Sequence, residues 1–243
     1  MPILFTQKTP QIGIWKITET WQNMLEYFRG NEQYIREITD IHSDKRKQEW
    51  LAIRLLLQHL CGEEAYIAYH ENGAPILQNS PYNISISHTK GFATIILSEN
   101  DNPGIDIEHH SERAWKLREK YLGSDELAFI SLFSDNEQDI NSTPQKNDKC
   151  TESENCTRKY DRQIANTPPL KYKNLATICW CAKETAYKVL QQTEVDFINH
   201  LHILPFILSD NGILTLKETK TSMQQTFYIN YQINEDYIIT WKE

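Results

Sequence analysis

The chain has 243 residues, of which 40% are apolar and 24% are charged, an ordinary composition for a globular protein with a substantial core. The formal net charge of −8 disfavours non-specific binding to nucleic acid or to anionic membranes, yet it allows a small anionic ligand held by local cations. The sequence contains no run of about 18 apolar residues, so we predict no membrane span. Residues 1–13 are too polar for a secretory signal. Five cysteines without a CxxC pair predict neither a disulfide framework nor a zinc site, and we expect a cytoplasmic protein.

The first half of the chain alternates strand and helix patterns. In chain order, we predict a strand at 12–17, a helical region at 19–40, a helix at 44–60, a hairpin at 82–97 and a strand at 105–108. The helix at 44–60 is the best defined, because Ser43 or Asp44 can cap its N-terminus and Gly62 can end it.

The second half contains an unusual polar segment. In chain order, we predict short helices at 112–122 and 125–133, a mobile insertion at 134–174, a helix from Leu175, and strands at 213–217, 226–233 and 237–242. The insertion is predicted because its polar side chains bury too little to offset their ordering entropy. The whole order predicts an α+β protein with two halves of similar plan, 1–104 and 105–243, although no sequence repeat relates them.

Two carboxylates stand on the predicted strand at 105–108. Asp106 and Glu108 are two residues apart, so they leave a strand by the same face, while Ile105 and Ile107 point into the core. Neighbouring carboxylates repel unless a cation lies between them, and oxygen ligands of this kind suit Mg²⁺. A solvated outer strand face explains the same pattern, and the strand alone favours that interpretation.

A second group of polar residues lies on the predicted helix from Leu175. Trp180, Glu184 and Lys188 recur every four residues, so they share one side of the helix. One interpretation is a surface ion pair between Glu184 and Lys188, worth a few tenths of a kcal/mol. The other places Glu184 as a ligand or base and Lys188 as a phosphate contact.

Two further groups suggest an anion site. Ser87 and His88 stand near the tip of the predicted hairpin, where their polar groups can receive a phosphate or form an ordinary polar turn. Lys45 and Arg46 occupy the first turn of the helix at 44–60, where cations oppose the helix dipole. Arg54 interrupts the apolar run of that helix, which indicates an anionic partner or a side chain that reaches the surface. A solvated helix end remains the simpler explanation for the basic turn.

Three segments resemble motifs of the 4′-phosphopantetheinyl transferase superfamily, and within it those of the larger Sfp-type enzymes. They occur along the chain in the same order as in the family. Ser85–His88 resembles the serine-histidine motif, Gly104–Glu108 the glycine-aspartate-x-glutamate motif, and Trp180–Lys188 the tryptophan-x-x-lysine-glutamate-x-x-x-lysine motif. The resemblance covers residues 45–190 apart from the polar insertion. Ala74 stands where the family often has lysine, and Cys181 where serine is frequent.

The resemblance implies a fold and an activity. The family fold has two similar α+β halves related by a pseudo-twofold axis, with coenzyme A in the cleft between them. The implied reaction transfers 4′-phosphopantetheine from coenzyme A, the co-substrate, to a serine of an apo acyl or peptidyl carrier protein. It depends on Mg²⁺ and releases adenosine 3′,5′-bisphosphate. Since both halves lie in one chain, a monomer would suffice.

The resemblance also implies roles for single residues. Asp106, Glu108 and Glu184 would hold Mg²⁺, and Glu184 would serve as the catalytic base, directly or through a water. Lys188 would be catalytic and would contact the phosphates. The remaining contacts to coenzyme A would come from Lys45, Arg46, Arg54, Ser87 and His88.

A basic segment follows the predicted metal strand and is a candidate surface for an acidic carrier protein. Its cations are Arg113, Lys116, Arg118 and Lys120, and a solvated helix is the equal alternative. Two other functions remain open at this point. One is a Mg²⁺-dependent hydrolase of another phosphoanhydride, and the other is a non-catalytic relative that binds coenzyme A or the carrier.

Overall fold

The computed structural model describes residues 3–8, 10–62, 64–99, 102–135 and 169–243, which form a mixed α+β structure. The helices are α1 (Trp21–Leu25), α2 (Glu32–Thr39), α3 (Asp44–Cys61), α4 (Arg113–Leu117), α5 (Ser124–Asp135) and α6 (Leu170–Leu190). The strands are β1 (Ile3–Lys8), β2 (Gln11–Lys16), β3 (Tyr66–Tyr69), β4 (Pro75–Gln78), β5 (Asn83–Thr89), β6 (Phe92–Ser98), β7 (Gly104–His109), β8 (Leu201–Ile203), β9 (Asn211–Glu218), β10 (Thr226–Ile233) and β11 (Tyr237–Lys242).

The N-terminal sheet has the order β1-β2-β6-β5, and α3 packs against it. The predicted cap of α3 is confirmed, because the Ser43 side chain accepts a hydrogen bond from the Arg46 N–H, and Gly62 ends the helix at a φ of +86°. Gly13 allows the close approach of α3, since a Cβ there would lie 2.9 Å from Leu56 Cδ2. A separate two-stranded sheet is formed by β3 and β4.

The C-terminal sheet has the order β7-β11-β10-β9-β8, and α6 crosses it. Gly104, at the start of β7, is the point of closest approach. A Cβ there would lie 2.5 Å from Thr185 O and 2.7 Å from Val189 Cγ2, both on α6. The two large sheets share one type of connection. In the N-terminal sheet β2 pairs antiparallel with β6, and α3 lies between these strands in the chain. In the C-terminal sheet β7 pairs antiparallel with β11, and α6 lies between them in the chain.

The edges of the two large sheets meet where β5 runs beside β7, and we call this junction the seam. Buried hydroxyls of β5 accept hydrogen bonds from backbone N–H groups of β7. The three pairs are Ser85 with Ile105 (3.2 Å), Ser87 with Ile107 (3.4 Å) and Thr89 with His109 (3.3 Å). Alternate side chains of a strand point to one side, so the spacing of the hydroxyls matches the spacing of the N–H groups. The seam thus pairs polar groups that two edge strands would otherwise leave open.

Several sequence predictions require correction. The last helix begins at Leu170 rather than Leu175, so residues 170–174 are helical, and α5 extends through Asp135. The helical region at 19–40 is interrupted near Gly30, and four short strands, β1, β3, β4 and β8, were not predicted. Residues 136–168 of the predicted insertion lie outside the described residues. No helix in the described ranges is both long and apolar enough to cross a membrane.

Candidate functional site

Asp106 occupies the middle of the seam and is only 6% exposed. Its Oδ1 accepts hydrogen bonds from Ser87 Oγ at 2.7 Å and from Lys188 Nζ at 2.9 Å. Its Oδ2 is also buried and has no partner of good hydrogen-bond geometry among the described residues, while the Cys181 thiol, a weak donor, contacts the same carboxylate. A buried, unpaired carboxylate oxygen is costly, so this atom points to a missing partner.

Glu108 follows two residues later on the same face of β7, as predicted. Thr89 Oγ1 donates to Glu108 Oε2 at 2.9 Å, so a second seam hydroxyl contacts a second carboxylate. Burial, and then the charge of Asp106, raise the pKa of the Glu108 carboxyl, while hydrogen bonds from Thr89 and Trp180 oppose the rise.

Glu184 and Lys188 reach the same region from α6, one helical turn apart. Burial, and then the charge of Asp106, raise the pKa of the Glu184 carboxyl to about 7 against the opposing charge of Lys188. Lys188 Nζ also donates to Ile105 O at 2.7 Å, which fixes the ammonium on β7. Burial, and then the Asp106 and Glu108 charges, raise the pKa of the Cys181 thiol, so this cysteine is a neutral neighbour of the carboxylates.

The carboxylates have the donor chemistry that Mg²⁺ requires. After the larger effect of burial, the charge of Asp106 raises the pKa values of Glu108 and Glu184, so the three carboxylates repel one another and a cation would relieve that repulsion. Asp106 Oδ2 is the atom left open for it. Among the described residues, however, no three metal-ligating side chains are already gathered in an arrangement that could hold a metal ion. The donors therefore fit the metal by type, and their side chains would have to move closer together to hold it.

A cationic cluster lies beside the carboxylates, at the N-terminus of α3. Lys45, Arg46 and His88 surround the buried carboxylate of Glu49, with Lys45 Nζ 3.4 Å from Oε1 and Arg46 Nη1 3.5 Å from Oε2. His88 Nδ1 lies 3.3 Å from Glu49 Oε2, and His88 Nε2 lies 2.5 Å from Arg46 Nη1. Burial lowers the pKa of His88, helped by Arg46, Lys188 and Lys45 and opposed by Glu49.

Two cavities border these groups. The first has a volume of about 340 Å³ and contains Lys45, Glu108 and Trp180 in its wall. The second has a volume of about 420 Å³, and its wall includes Arg46, Ser87, Lys188, Tyr69 and the segment 73–75. His88 borders both cavities. Volumes of this size are typical of small-molecule sites.

Arg54 is the predicted ligand contact that the structure does not bring to these cavities. Its side chain is 1% exposed, its guanidinium carbon lies 3.3 Å from the centre of the Trp50 ring, and Nη2 lies 3.7 Å from Glu37 Oε2. Burial lowers the pKa of Arg54, and nearby Tyr69 and Tyr34 oppose this. The arginine therefore stands behind Tyr69, whose ring borders the second cavity, and it can act on a ligand there only through that neighbour.

The basic segment after β7 is divided between two environments. Arg113 borders the first cavity, close to Glu108. Lys116 is exposed and pairs with Glu112 at 3.0 Å, and Arg118 pairs with Glu119 at 3.4 Å and covers the Trp115 ring. The predicted docking surface therefore has its charges partly balanced by neighbouring glutamates.

Sequence reasoning missed two charged residues. Glu49 lies in the second turn of the helix and outside the three motifs, although its position three and four residues after Arg46 and Lys45 is a recognisable signal. Lys183, inside the third motif, is fully buried and donates to Glu126 Oε2 (2.7 Å), Tyr121 O (2.8 Å) and Phe197 O (2.8 Å). It anchors α6 to α5 and to two loops, and so holds Glu184 in place.

The sequence was also compared with known proteins. No protein-family model matches the chain, and no curated protein matches it.

Proposed function

We propose that the protein transfers 4′-phosphopantetheine from coenzyme A to a serine of an apo carrier protein, in a Mg²⁺-dependent reaction that releases adenosine 3′,5′-bisphosphate. The observation that carries the proposal is the convergence of Asp106, Glu108, Glu184 and Lys188 at a seam bordered by two cavities. These residues come from two motifs whose centres, Asp106 and Glu184, are 78 positions apart, and Ser87 of the serine-histidine motif donates to Asp106.

The proposed family fold has two similar halves about a pseudo-twofold axis. The repeated connection supports it, since in each large sheet the strand before the long helix pairs antiparallel with the last strand of that half. The seam between the sheets then corresponds to the cleft in which coenzyme A would bind. A ligand there would contact both halves, which a single sheet could not offer.

In this proposal, Asp106, Glu108 and Glu184 hold the metal. When bound, Mg²⁺ would neutralise charge on the pyrophosphate of coenzyme A and polarise the phosphoryl group under attack. The support from the chain is the buried Asp106 Oδ2, which lacks a partner of good hydrogen-bond geometry, and the charge of Asp106, which with burial raises the pKa of Glu184.

Glu184 is the proposed base. The carrier serine hydroxyl is a weak nucleophile, and its proton must leave as the new oxygen–phosphorus bond forms. In the metal-free protein, burial and then the charge of Asp106 raise the pKa of the Glu184 carboxyl to about 7. A bound cation would lower this pKa, so the carboxylate would be ionised and able to accept that proton directly or through a water. The bond that breaks joins the same phosphorus to the oxygen of adenosine 3′,5′-bisphosphate.

Lys188 and the cationic cluster would stabilise the phosphates. Lys188 lies between Asp106 and the second cavity, so its ammonium can donate to a phosphate oxygen as negative charge grows on the leaving group. Lys45, Arg46 and His88 face the cavities a short distance away and provide charge for a second phosphate. The binding of an acyl or peptidyl carrier would then be local, at a surface that includes Arg113 and Lys116.

The proposal also includes a cellular location and an oligomeric state. We place the reaction in the cytoplasm, in agreement with three cysteines, Cys61, Cys179 and Cys181, that are free thiols in the described residues. A monomer is sufficient, because both sides of the seam belong to one chain.

Release of adenosine 3′,5′-bisphosphate tests the proposal by chromatography. Coenzyme A and Mg²⁺ are incubated with the protein, with and without an apo carrier protein. The proposal predicts release only when the carrier is present, and loss of release in Glu184→Gln but not in Asp210→Asn, which neutralises an exposed carboxylate beside β9. Release without carrier would indicate a phosphoanhydride hydrolase, and binding of coenzyme A without release would indicate a non-catalytic relative.

A further inference from the structure

Glu49 is a buried acid in the middle of a basic cluster. Its side chain is 6% exposed, whereas those of Lys45 and Arg46 are 66% and 51% exposed. Burial of a carboxylate is costly unless cations and hydrogen bonds compensate it. The buried carboxylate of Glu49 therefore attracts Lys45 and Arg46, and because these two side chains are exposed they can also contact a ligand.

The contacts of His88 identify the tautomer of its ring. Nδ1 faces the carboxylate of Glu49, which can only accept a hydrogen bond, and Nε2 faces the guanidinium of Arg46, which can only donate. One neutral form satisfies both neighbours, with the proton on Nδ1 and the lone pair on Nε2. Burial lowers the pKa of His88 and so favours a neutral ring in the free protein.

Other charges also face His88. From α3 these are Lys45, Arg46 and Glu49, and from α6 Lys188. Glu108, His109, Arg113 and Lys90 share the wall of the first cavity with it. Apart from Glu49 and Glu108, each of these groups is cationic or neutral, so an entering phosphate would meet a positive surface with Glu49 behind it.

We propose that Glu49 is the positioning residue of this cluster, which holds His88 by Nδ1 so that a ligand phosphate can replace Arg46 at Nε2 with the uptake of one proton. The proton comes from solvent and binds Nε2, which then donates to the phosphate. The Nδ1 proton stays on the ring and remains directed at Glu49. Arg46 is released from the imidazole and becomes a second donor to the same phosphate.

The imidazolium formed in this exchange is stabilised on both sides, by Glu49 and by the phosphate. Without the Glu49 charge, protonation of His88 would add a third cation to Lys45 and Arg46. The exchange therefore makes phosphate affinity depend on pH, and the dependence requires the carboxylate. The inference rests on the proposed function only in its choice of coenzyme A as the ligand.

The first test needs no ligand. Nitrogen-15 NMR of the imidazole rings identifies the His88 tautomer, with His88→Gln used to assign its signals. We expect the Nδ1–H form in the native protein and in Asp210→Asn, and a mixture of tautomers in Glu49→Gln. A native ring protonated on Nε2 alone would overturn the assignment of Glu49.

The second test measures proton uptake by calorimetry at pH 7.5. Coenzyme A, or inorganic pyrophosphate, is titrated into the protein in two buffers of different ionisation enthalpy. His88→Gln provides the baseline for protons taken up by the ligand itself. We expect uptake above that baseline in the native protein, with an affinity that rises towards lower pH by at most about tenfold per pH unit. Glu49→Gln should fall to the baseline.

The outcomes separate this inference from the proposed function. Equal proton uptake by Glu49→Gln and the native protein would overturn the role of Glu49, and the transferase proposal would stand. Pyrophosphate binding with proton uptake, without binding of coenzyme A, would support the role of Glu49 and count against the proposed function. Failure of both ligands to bind would overturn the phosphate exchange. If Glu49→Gln does not fold, Glu49→Asp keeps the charge but shortens the side chain, and it should reduce the uptake partly.

Discussion

Lys188 Nζ lies 2.9 Å from Asp106 Oδ1, and this ion pair joins the last turn of α6 to β7 in the middle of the seam. The lysine side chain is 24% exposed and that of the aspartate 8%, so the ammonium can be reached from the second cavity while the carboxylate is shielded. Lys188 therefore balances a buried charge and remains able to meet an anionic ligand.

Replacement of Lys188 should slow the reaction and also cost stability, because the buried Asp106 carboxylate loses its cation. We expect Lys188→Gln to lower the rate of carrier modification by about 100-fold or more, because one preorganised donor to the phosphates is lost. Lys217→Gln, which removes an exposed cation on β9, is the matched control and should keep the native rate. A Lys188→Gln rate within threefold of the native rate, about 0.65 kcal/mol of barrier, would contradict the assignment.

The raised pKa of Glu184 makes stability depend on pH. Its pKa of about 7 in the folded protein exceeds the ordinary value of 4.5, so between these values the folded state binds more protons than the unfolded state. The free energy of unfolding of the metal-free protein should therefore fall as the pH rises from 4.5 to 7, by at most about 3 kcal/mol from this group.

Thermal unfolding followed by circular dichroism measures this effect. The decline in melting temperature with pH should be steeper in the native protein than in Glu184→Gln, which removes the titrating group. Mg²⁺ should raise the native melting temperature more at pH 8 than at pH 5.5, because the carboxylates must be ionised to bind it. Parallel melting curves for the two proteins across this pH range would contradict the account.

The sequence predicted the carboxylates of the site from local pattern. Asp106 and Glu108 share a strand face because of their spacing, and Glu184 and Lys188 share a helix face for the same reason. Local spacing could not predict that the two faces meet, since that depends on how α6 crosses β7 at Gly104. The motif resemblance supplied this expectation.

Other parts of the site depended on contacts between distant segments. The sequence placed Ser87 and Thr89 in a polar hairpin. In the structure their hydroxyls accept hydrogen bonds from backbone N–H groups of β7, 20 residues further along the chain. The resemblance implied that Arg54 contacts the ligand, but its guanidinium lies against the Trp50 ring and near Glu37, both from its own half. The start of α6 was missed because its first turns follow a polar stretch and its apolar pattern is clear only from Leu175.

The close contact at Gly104 predicts a sensitive position. Gly104→Ala would force its Cβ against Thr185 O and Val189, so α6 must shift relative to β7. We expect a loss of about 1–3 kcal/mol in urea unfolding and a lower transfer rate, because Glu184 and Lys188 move with the helix. Gly123→Ala is the control, since its nearest contact would be an ordinary 3.8 Å. Equal stability of the two variants would show that the helix can move without cost.

The buried lysine of the third motif, Lys183, should contribute strongly to stability. Lys183→Met leaves Glu126 in the core without its cation, and we expect a loss of about 3–5 kcal/mol in urea unfolding. The double variant Lys183→Met/Glu126→Gln should recover part of this loss, because the unpaired charge is gone. Strict additivity of the two single effects would argue against the pair as the source.

The basic segment gives a prediction about the carrier. Lys116→Glu, outside both cavities, should weaken carrier binding severalfold and leave coenzyme A binding unchanged. Arg113→Glu should affect both, because Arg113 borders the first cavity. Surface plasmon resonance with the carrier and calorimetry with coenzyme A separate the two effects. Equal loss of both ligands in Lys116→Glu would remove this surface from the account.

Intact-mass spectrometry of an apo carrier protein tests the central claim most directly. The carrier is mixed with the protein, coenzyme A and Mg²⁺, beside Glu184→Gln, Asp106→Ala and a carrier whose acceptor serine is replaced by alanine. The account predicts a mass gain of one phosphopantetheine with the native protein, and no gain with either variant or with the altered carrier. No gain on carriers of fatty-acid, polyketide and peptide synthesis, or an equal gain with Glu184→Gln, would contradict it.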